Sequence, residues 1–321
     1  MSNFASLTRM RIQLALRNKM FFFFSVIFPL GMFFLYAGIF AKGNPRVVSF
    51  FLGPVIALNV MGSFWGLSAM LVMFREQGIL RRFHVTPVTA TDMLGSSILA
   101  NYLLTLPTVF VELLFARLIF HVNNLGDLVS LAVLVTVGTV SFASLGLVVA
   151  SVTNTMQETQ VLNQLIWLPL IFLSGATLPI AYLPKVAQGV AVFLPATYLV
   201  TGLQGAMYSS FPVWKLLTQI LALAFWTILT FFVATQLFRW EPESKIPRNA
   251  KLWALATALP FFLLGVWENK NGQILVQAQA AYRSLDQPAK SDHPPKAERL
   301  KSDSPSMGNL PRAKKDTQPQ P

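Results

Sequence analysis

A short loop that combines charged residues with turn residues separates two long apolar stretches of this sequence. It reads Arg75-Glu-Gln-Gly-Ile-Leu-Arg-Arg-Phe-His-Val-Thr-Pro87. Guanidinium and carboxylate groups this close together are suited to charge-assisted hydrogen bonds with another protein. Basic residues beside apolar stretches also fix the orientation of a membrane protein, and that second role stays open. We predict that this loop is the main contact with a soluble partner.

Four uncharged polar side chains interrupt two of the apolar stretches. Asn59 and Ser63 lie in one stretch, and Asn163 and Gln164 lie in another. Polar groups in such surroundings either join helices through hydrogen bonds or line a cavity for amphipathic cargo. The sequence leaves both roles open.

Glu112 is the only acidic residue well inside an apolar stretch. Ionisable groups at membrane depth are costly, and they face a bundle interior, a cavity or the interface. Two roles follow for its carboxylate: pairing with Arg117 near the membrane surface, or contact with a substrate or a neighbouring helix. One carboxylate is a poor basis for a proton relay, so proton-coupled transport is not predicted.

The chain lacks the residue patterns of common catalytic and metal sites. It has no G-x-x-x-x-G-K-[ST] motif, the loop that cradles nucleotide phosphates. Its three histidines, His84, His121 and His293, have no carboxylate at metal-ligand spacing, and cysteine is absent. We therefore predict no catalytic residue, no metal ligand and no cofactor bound by this chain.

Composition places these residues in a membrane. Hydrophobic residues make up 54% of the chain, and the mean hydropathy is +0.55, which exceeds the values of soluble domains. A spanning helix needs about 20 apolar residues. Six stretches approach or exceed this length: Met20–Ala41, Phe50–Phe74, Gly95–Phe120, Leu128–Ala150, Gln160–Leu178 and Trp214–Phe238. We predict an all-α membrane protein with six transmembrane helices.

A seventh apolar stretch, Leu252–Trp267, is shorter than a comfortable span. Crossing with local thinning of the bilayer, entering and returning, and lying in the interface all remain open. Residues 269–321 are polar and rich in proline, so a disordered tail is predicted there. We expect this tail to remain on the cytoplasmic side.

Basic residues are distributed unevenly over the predicted loops. Eleven lie on the side of the N-terminus: Arg9, Arg11, Arg17, Lys19, Arg75, Arg81, Arg82, Arg239, Lys245, Arg248 and Lys251. Five lie on the opposite side: Lys42, Arg46, Arg117, Lys185 and Lys215. Because basic loops stay in the cytoplasm, we predict a cytoplasmic N-terminus. The net charge of +12 then reflects membrane orientation rather than nucleic-acid binding.

The ends of the predicted membrane domain have patterns of their own. Before the first span, Ser2–Lys19 predicts an amphipathic interfacial helix with Leu7 and Leu14 on its apolar face. Its role as a lipid anchor or as a docking surface stays open. Before the sixth span, Val190–Tyr208 is apolar but is broken by Pro195, which favours two short re-entrant helices.

The fifth span has a predicted cap at its start. Thr155 and Glu158 have the spacing of a capping box, in which the hydroxyl and the carboxylate accept hydrogen bonds from free backbone N–H groups. The short turn between spans four and five should therefore be well defined.

This order of elements resembles the membrane subunit of an ABC-2 type exporter. The resemblance rests on the N-terminal helix, the six spans, the R-E-x-x-G…R-R…P loop and the L-P…L-P…L-P-A-T-Y pattern before the sixth span. The resemblance covers residues 1–240, and composition divides the rest. The chain is thus predicted to have four segments: a helix over 1–19, an ABC-2 type permease domain over 20–240, a basic linker with an extra apolar segment over 241–268, and the tail over 269–321.

The resemblance implies a half-transporter that pairs with a second membrane subunit, either identical or related, and with two separate ABC ATPase subunits that bind the ATP. Six loop residues would dock on the ATPase: Arg75, Glu76, Gly78, Arg81, Arg82 and Pro87. Spans two and five would line the central path, which would make Asn59, Ser63, Asn163 and Gln164 cargo contacts.

The expected function is ATP-driven export of a hydrophobic or amphipathic molecule across the inner (plasma) membrane. An apolar path and short external loops favour lipid-like, drug-like or lipid-linked cargo over a soluble protein. The alternative is a non-transporting membrane scaffold or assembly factor, whose charged loop docks a soluble partner without moving any substrate.

Overall fold

The structure, a computed structural model, describes residues 3–17, 19, 23, 27–41, 44–84, 88–239 and 250–286. These residues form α-helices, one π-helical segment (Ala37–Ala41) and two short 3₁₀ helices, joined by turns and loops, and none of them is in a β-strand. In chain order the helices are α1 (Asn3–Arg17), α2 (Phe28–Tyr36), α3 (Pro45–Glu76), α4 (Ile79–His84), α5 (Ala90–Leu118), α6 (Leu128–Val152), α7 (Met156–Leu173), α8 (Lys185–Ala191), α9 (Pro195–Met207), α10 (Leu217–Leu237), α11 (Ala250–Ala256), α12 (Leu259–Asn271) and α13 (Gln273–Asp286). The predicted all-α membrane fold is confirmed.

Helix α3 is the centre of the bundle and packs against α6 and α9. Two glycines allow these backbones to approach closely, as small residues do in membrane helix pairs. A Cβ added at Gly53 would lie 2.8 Å from the backbone nitrogen of Gln204 on α9. A Cβ added at Gly146 on α6 would overlap the backbone oxygen of Phe64. Larger residues at these two positions would separate the central helices.

The buried apolar side chains form two clusters at opposite ends of the bundle. One includes Phe50, Tyr198 and Leu203, and we call this side the Phe50 end. The other includes Leu71 and Leu147, and it lies at the side where α3 ends at Glu76, which we call the Arg75 end. Each long helix therefore has one end in each cluster.

Five helical segments are long and apolar enough to cross a membrane, within the part of the chain that the structure describes. They are Pro45–Glu76, Ala90–Leu118, Leu128–Val152, Val213–Leu237 and Leu252–Asn271. The first predicted span corresponds to a shorter apolar helix, Phe28–Phe40, and residues 20–22 and 24–26 of that span lie outside the described residues. The fourth of the five segments includes a 3₁₀ turn, Val213–Leu216, that precedes α10.

The predicted fifth span, Gln160–Leu178, differs from the helix that the structure has. Helix α7 begins at Met156 and ends at Leu173, because the chain turns at Gly175, whose φ of 90° is open to glycine and strained for other residues. α7 is not among the five apolar segments, since polar residues such as Gln160 and Gln164 lower the hydropathy of its first half.

Helices α8 and α9 are bent by 93° at the short break between them. Both ends of the pair contact α13, where Gln279 donates a hydrogen bond to Gln188 at 3.1 Å and Ser284 lies 2.9 Å from the hydroxyl of Tyr208. A right-angle bend of this kind fits a broken span, which would be a sixth crossing, as well as the predicted re-entrant helices, so the re-entrant arrangement stays a prediction. We call α8 and α9 the re-entrant pair.

The C-terminal segment, residues 250–286, is helical to its end. The tail predicted from residue 269 differs here, because α12 continues to Asn271 and α13 follows as an amphipathic helix with Ile274 and Ala278 buried. Gly272 makes the turn between them with a φ of 64°. The remaining tail, 287–321, lies outside the described residues.

Helix α1 packs along α5 and buries a different set of side chains from the one predicted. Leu7 is buried as expected, whereas Leu14 is exposed and Arg11 is buried. The guanidinium of Arg11 lies 5.7 Å from the ring centre of Phe74, and its Nη2 lies 3.4 Å from the sulfur of Met93. Burial lowers the pKa of Arg11 to about 10, so it remains charged at neutral pH. α1 is therefore fixed to the Arg75 end of the bundle.

Candidate functional site

Arg75, the first residue of the predicted docking loop, is buried and not on the surface, with 2% of its area exposed. Its guanidinium donates one hydrogen bond to the carbonyl oxygen of Ala150 at 2.9 Å and a second to that of Thr153. These carbonyls belong to the last turn and C-cap of α6, where backbone acceptors have no partner within the helix. Arg75 therefore ties the end of α3 to the end of α6.

Glu76 extends this connection to the next helix. Its carboxylate Oε1 accepts a hydrogen bond of 2.9 Å from the backbone N–H of Met156, the first residue of α7. A carboxylate at a helix N-terminus satisfies a free donor and interacts favourably with the helix dipole. Adjacent residues at the end of α3 thus hold the end of α6 and the start of α7.

The turn between α6 and α7 has the predicted cap in modified form. The hydroxyl of Thr155 accepts from the N–H of Glu158 at 3.2 Å, as predicted. The Glu158 carboxylate accepts from the N–H of Asn154 at 2.7 Å, one residue before the predicted donor. The turn is therefore closed by its own side chains before Arg75 and Glu76 contact it.

A third charged residue, Arg239, reaches the same turn from the end of α10. Its Nη1 donates to Asn154 Oδ1 at 3.1 Å, and its Nη2 donates to the Thr153 carbonyl at 2.8 Å. Burial lowers the pKa of Arg239 below its ordinary value, an effect that Glu158 partly offsets. Sequence reasoning assigned Arg239 only to topology, because nothing in its local pattern indicates a contact with residues 85 positions earlier.

These residues form one site, which we call the Arg75 cluster and define as Arg75, Glu76, Thr153, Asn154, Glu158 and Arg239. It joins the ends of α3, α6, α7 and α10 that lie at the Arg75 end of the bundle. A displacement of the end of α3 would therefore act on three other membrane helices through hydrogen bonds, several of them to charged groups.

The rest of the predicted loop is more accessible. Gly78 has a φ of 67° and turns the chain from α3 into α4, a conformation that favours glycine. Arg81 and Arg82 on α4 are exposed, while Leu80 packs into the apolar cluster at this end. Pro87 lies outside the described residues. Among the described residues of the loop, those exposed beyond the Arg75 cluster therefore include Arg81 and Arg82 of the short helix α4.

The four uncharged polar residues of the predicted path separate into two buried and two accessible ones. Asn163 is fully buried, and its amide donates to the hydroxyl of Ser68 on α3 at 2.8 Å. Ser63 is buried as well. Asn59 is half-buried and Gln164 is exposed. Asn163 therefore joins α7 to α3, whereas Asn59 and Gln164 remain accessible from outside the chain.

Glu112 is fully buried between α5 and α3. Its Oε1 accepts a hydrogen bond of 3.4 Å from the amide of Asn59. Its other oxygen has no hydrogen-bond partner among the described residues. Of the two predicted roles, contact with a neighbouring helix fits this arrangement. The Glu112 carboxyl group accepts the hydrogen bond of the Asn59 amide and so helps to hold that amide in position.

Neighbouring strips of α3 and α7 are not covered by the rest of the chain. On α3 the strip passes through Asn59, Gly62 and Gly66, and open space surrounds the two glycines. On α7 it consists of polar and apolar residues with large exposed areas: Gln157, Gln160, Val161, Gln164, Leu165, Leu168 and Phe172. The helices are held side by side by Trp65 and Trp167, whose ring centres are 6.2 Å apart. We call this combined surface the α3–α7 face.

Comparison with known proteins gives a family match and several relatives. A family model described as ABC-2 type transporter matches residues 2–208. The probable multidrug ABC transporter permease YbhS of Escherichia coli K12 is 28% identical over 165 residues, which are 50% of this chain and 44% of that protein. Nodulation protein J of Rhizobium leguminosarum bv. viciae is 30% identical over 124 residues, or 39% of this chain and 47% of that protein. The chain thus spans less than half the length of these curated relatives.

Proposed function

The chain belongs to the ABC-2 type transporter family, and from this premise we propose that it is the membrane subunit of an ATP-driven exporter of hydrophobic or amphipathic molecules. ATP would be bound and hydrolysed by a separate ABC ATPase subunit, since the sequence has no phosphate-binding P-loop motif. The observation that carries the proposal is the Arg75 cluster, which connects the predicted docking loop to four membrane helices.

The cluster supplies the physical link that such a mechanism requires. The exposed helix α4 and its Arg81 and Arg82 would contact the ATPase, while Arg75 and Glu76 lie on the membrane side of that contact. Movement of α4 would displace the end of α3, and the hydrogen bonds to Thr153 and Met156 would carry this displacement to α6 and α7. Arg75 and Glu76 are therefore proposed as transmitting residues, and Arg81 and Arg82 as docking residues.

The α3–α7 face supports a path between two membrane subunits. Its exposed apolar residues, such as Leu165 at 67% and Val161 at 70%, favour contact with lipid or with a second subunit over contact with water. Gln164 and Asn59 place amide groups among them, which suits a substrate with both apolar and polar parts. We propose that two such faces, from identical or related subunits, enclose the path.

The cargo is proposed to be lipid-like, drug-like or lipid-linked. The printed name of one relative, a probable multidrug permease, agrees with a drug-like substrate, although the match covers less than half of that protein. The distribution of basic residues supports an orientation with the N-terminus and the Arg75 end in the cytoplasm of a cell with an inner, or plasma, membrane. Export then runs from the Arg75 end towards the Phe50 end.

The proposal is tested with the chain co-expressed with a partner ABC ATPase in inside-out membrane vesicles. We expect ATP-dependent accumulation of a fluorescent hydrophobic dye or of a fluorescent phospholipid, and no accumulation when the ATPase carries a substitution of its own P-loop lysine. A stable complex that hydrolyses ATP but moves neither probe, nor a lipid-linked sugar, would favour the scaffold function instead.

A double substitution tests the part assigned to the loop. Glu76→Ala with Arg81→Ala should leave membrane insertion intact but separate ATP hydrolysis from transport, because both residues lie outside the apolar core. Substitution of Lys215→Ala, an exposed residue before α10 at the other end of the bundle, serves as the control. Equal transport by both variants would remove the loop from the mechanism.

A further inference from the structure

The C-terminal segment, residues 250–286, lies beyond the residues matched by the family model, which end at 208. It contains the seventh apolar stretch, whose placement the sequence left open. We infer that Leu252–Asn271 crosses the membrane beside α10, and that α13 lies at the Phe50 end, where it holds the re-entrant pair in place. With the orientation proposed above, α13 is extracytoplasmic, contrary to the cytoplasmic position expected for this region from its sequence.

The first argument is the order of contacts along α10. Thr257 accepts a hydrogen bond of 2.8 Å from the indole N–H of Trp226, near the middle of α10. Further along the segment, Gln277 accepts one of 3.1 Å from Gln219, in the first turn of α10. As the segment advances, its partners move back towards the start of α10. The two therefore run in opposite directions, and a helix antiparallel to a spanning helix ends on the other side of the membrane.

The second argument is the change of apolar cluster along the segment. Ala254 packs against the cluster at the Arg75 end. Phe261, Ile274 and Leu285 all pack into the cluster at the Phe50 end. The segment Leu252–Asn271 consists of the end of α11, a turn at Thr257 and Ala258, and α12; at the helical rise its 20 residues extend about 30 Å, which matches the hydrocarbon thickness of a bilayer. The segment thus has both the partners and the length of a crossing helix.

The third argument is the local structure where the segment turns. The N–H of Gly272 donates to the carbonyl of Glu268 at 2.6 Å, and the Glu268 side chain accepts from the N–H of Ile274 in the first turn of α13. These two hydrogen bonds satisfy backbone groups at the end of α12 and at the start of α13, on either side of Gly272, which has a left-handed backbone conformation. α13 is therefore directed by its own sequence, and not only by its neighbours, onto the surface of the re-entrant pair.

Contacts of the segment with the re-entrant pair extend from one end of that pair to the other. The amide of Asn269 donates to the Gly189 carbonyl at 3.4 Å on α8. The ring of Phe261 lies 5.2 Å from that of Tyr198 on α9. Together with the contacts of Gln279 and Ser284 described above, these fix the pair at several points. On the proposed function, this makes the pair a fixed outer wall of the path.

Cysteine labelling tests the crossing, since the natural chain has no cysteine. Ala280→Cys on α13, Lys215→Cys at the start of α10 and Arg82→Cys on α4 each replace an exposed residue. With an impermeant maleimide on intact cells, we expect Ala280→Cys and Lys215→Cys to react alike and Arg82→Cys to behave oppositely. A match between Ala280→Cys and Arg82→Cys would overturn the inference. This result does not depend on whether the protein transports anything.

Crosslinking tests the register. The pair Gln219→Cys and Gln277→Cys should be crosslinked in membranes by a short bis-methanethiosulfonate reagent, which forms a reducible disulfide with each cysteine, because the side-chain ends of these two residues are 3.1 Å apart. The control pair is Gln236→Cys with Gln277→Cys. Gln236 is an exposed glutamine near the other end of α10, so no crosslink should form in this pair. A crosslink in the control pair but not in the first pair would show that the segment runs in the opposite direction along α10, and this would refute the antiparallel arrangement.

The same reducible crosslink tests whether the re-entrant pair is a fixed wall. In the transport assay the crosslinked protein should lose no activity relative to the reduced protein, because the wall does not move. A loss that reductant restores would show that α13 moves during transport, which would overturn this part of the inference while leaving the crossing and the proposed function intact.

Discussion

The two ends of the bundle are stabilised by different interactions. At the Arg75 end, charged side chains of α3 and α10 donate to or accept from backbone groups of the α6–α7 turn. At the Phe50 end, aromatic rings pack closely, and the hydrogen bonds between side chains join mainly uncharged groups. Directional bonds can be exchanged when helices tilt, whereas a large apolar contact resists separation. On the proposed function, movement would enter at the Arg75 end and be resisted at the Phe50 end.

The largest effect on stability is expected at the Phe50 end. Phe261 is 2% exposed, and the ring centres of Tyr198 and Trp226 each lie 5.2 Å from its own. Phe261→Ala removes this contact and leaves a cavity, which costs about 3–5 kcal/mol in protein cores. Thermal unfolding of the purified protein measures it. Phe262→Ala is the matched control, since Phe262 is 59% exposed and its loss should change stability little. Equal losses for the two variants would mean that the C-terminal segment does not pack as described.

An intermediate effect is expected for Arg75→Lys. A lysine keeps the charge but cannot reach two carbonyl groups with the planar fork of arginine. Loss of one charge-assisted hydrogen bond to a buried carbonyl should lower stability by about 1.5–3 kcal/mol. ATP hydrolysis should also become less tightly linked to transport, which a purely structural residue would not affect. Arg82→Lys, at an exposed position, should change neither stability nor coupling; identical behaviour of the two variants would contradict the transmitting role.

Prediction from the sequence succeeded where a pattern is local and failed where distant segments meet. Hydropathy gave the position of α3, α5, α6 and α10, and the Thr155 cap could be recognised from spacing within four residues. The burial of Arg75 could not be recognised from the sequence, because the carbonyls that it contacts lie about 75 residues further along the chain. The helix α13 was missed because its large apolar residues are concentrated at Ile274–Val276, and most of its other apolar positions are alanines, which give a weak hydropathy signal. The coupling role of the loop and the path residues stay predictions.

A smaller effect is expected for Glu76, whose carboxylate is exposed and makes one hydrogen bond to the Met156 N–H. Glu76→Ala removes that acceptor, which should cost about 1 kcal/mol. Glu76→Gln keeps an acceptor oxygen without the charge, so it should recover most of the lost stability and coupling. Recovery by glutamine would show that the hydrogen bond matters more than the charge. If glutamine behaves like alanine in both assays, the negative charge itself, beside Arg75, is what the cluster requires.

The smallest effect is expected for the hydrogen bond between Asn163 and Ser68, which joins α7 to α3 in the interior. Uncharged hydrogen bonds between membrane helices contribute about 0.6 kcal/mol on average, because the separated helices find other partners. A double-mutant cycle with Asn163→Leu and Ser68→Ala should therefore give a coupling energy near that value. Gln164→Leu, one position further on the same helix, should leave stability unchanged and alter only which dyes are transported, since Gln164 is on the α3–α7 face. If Asn163→Leu instead changes cargo preference as strongly as Gln164→Leu does, then the buried side of α7 contributes to the path, and Asn163 is not a purely structural amide.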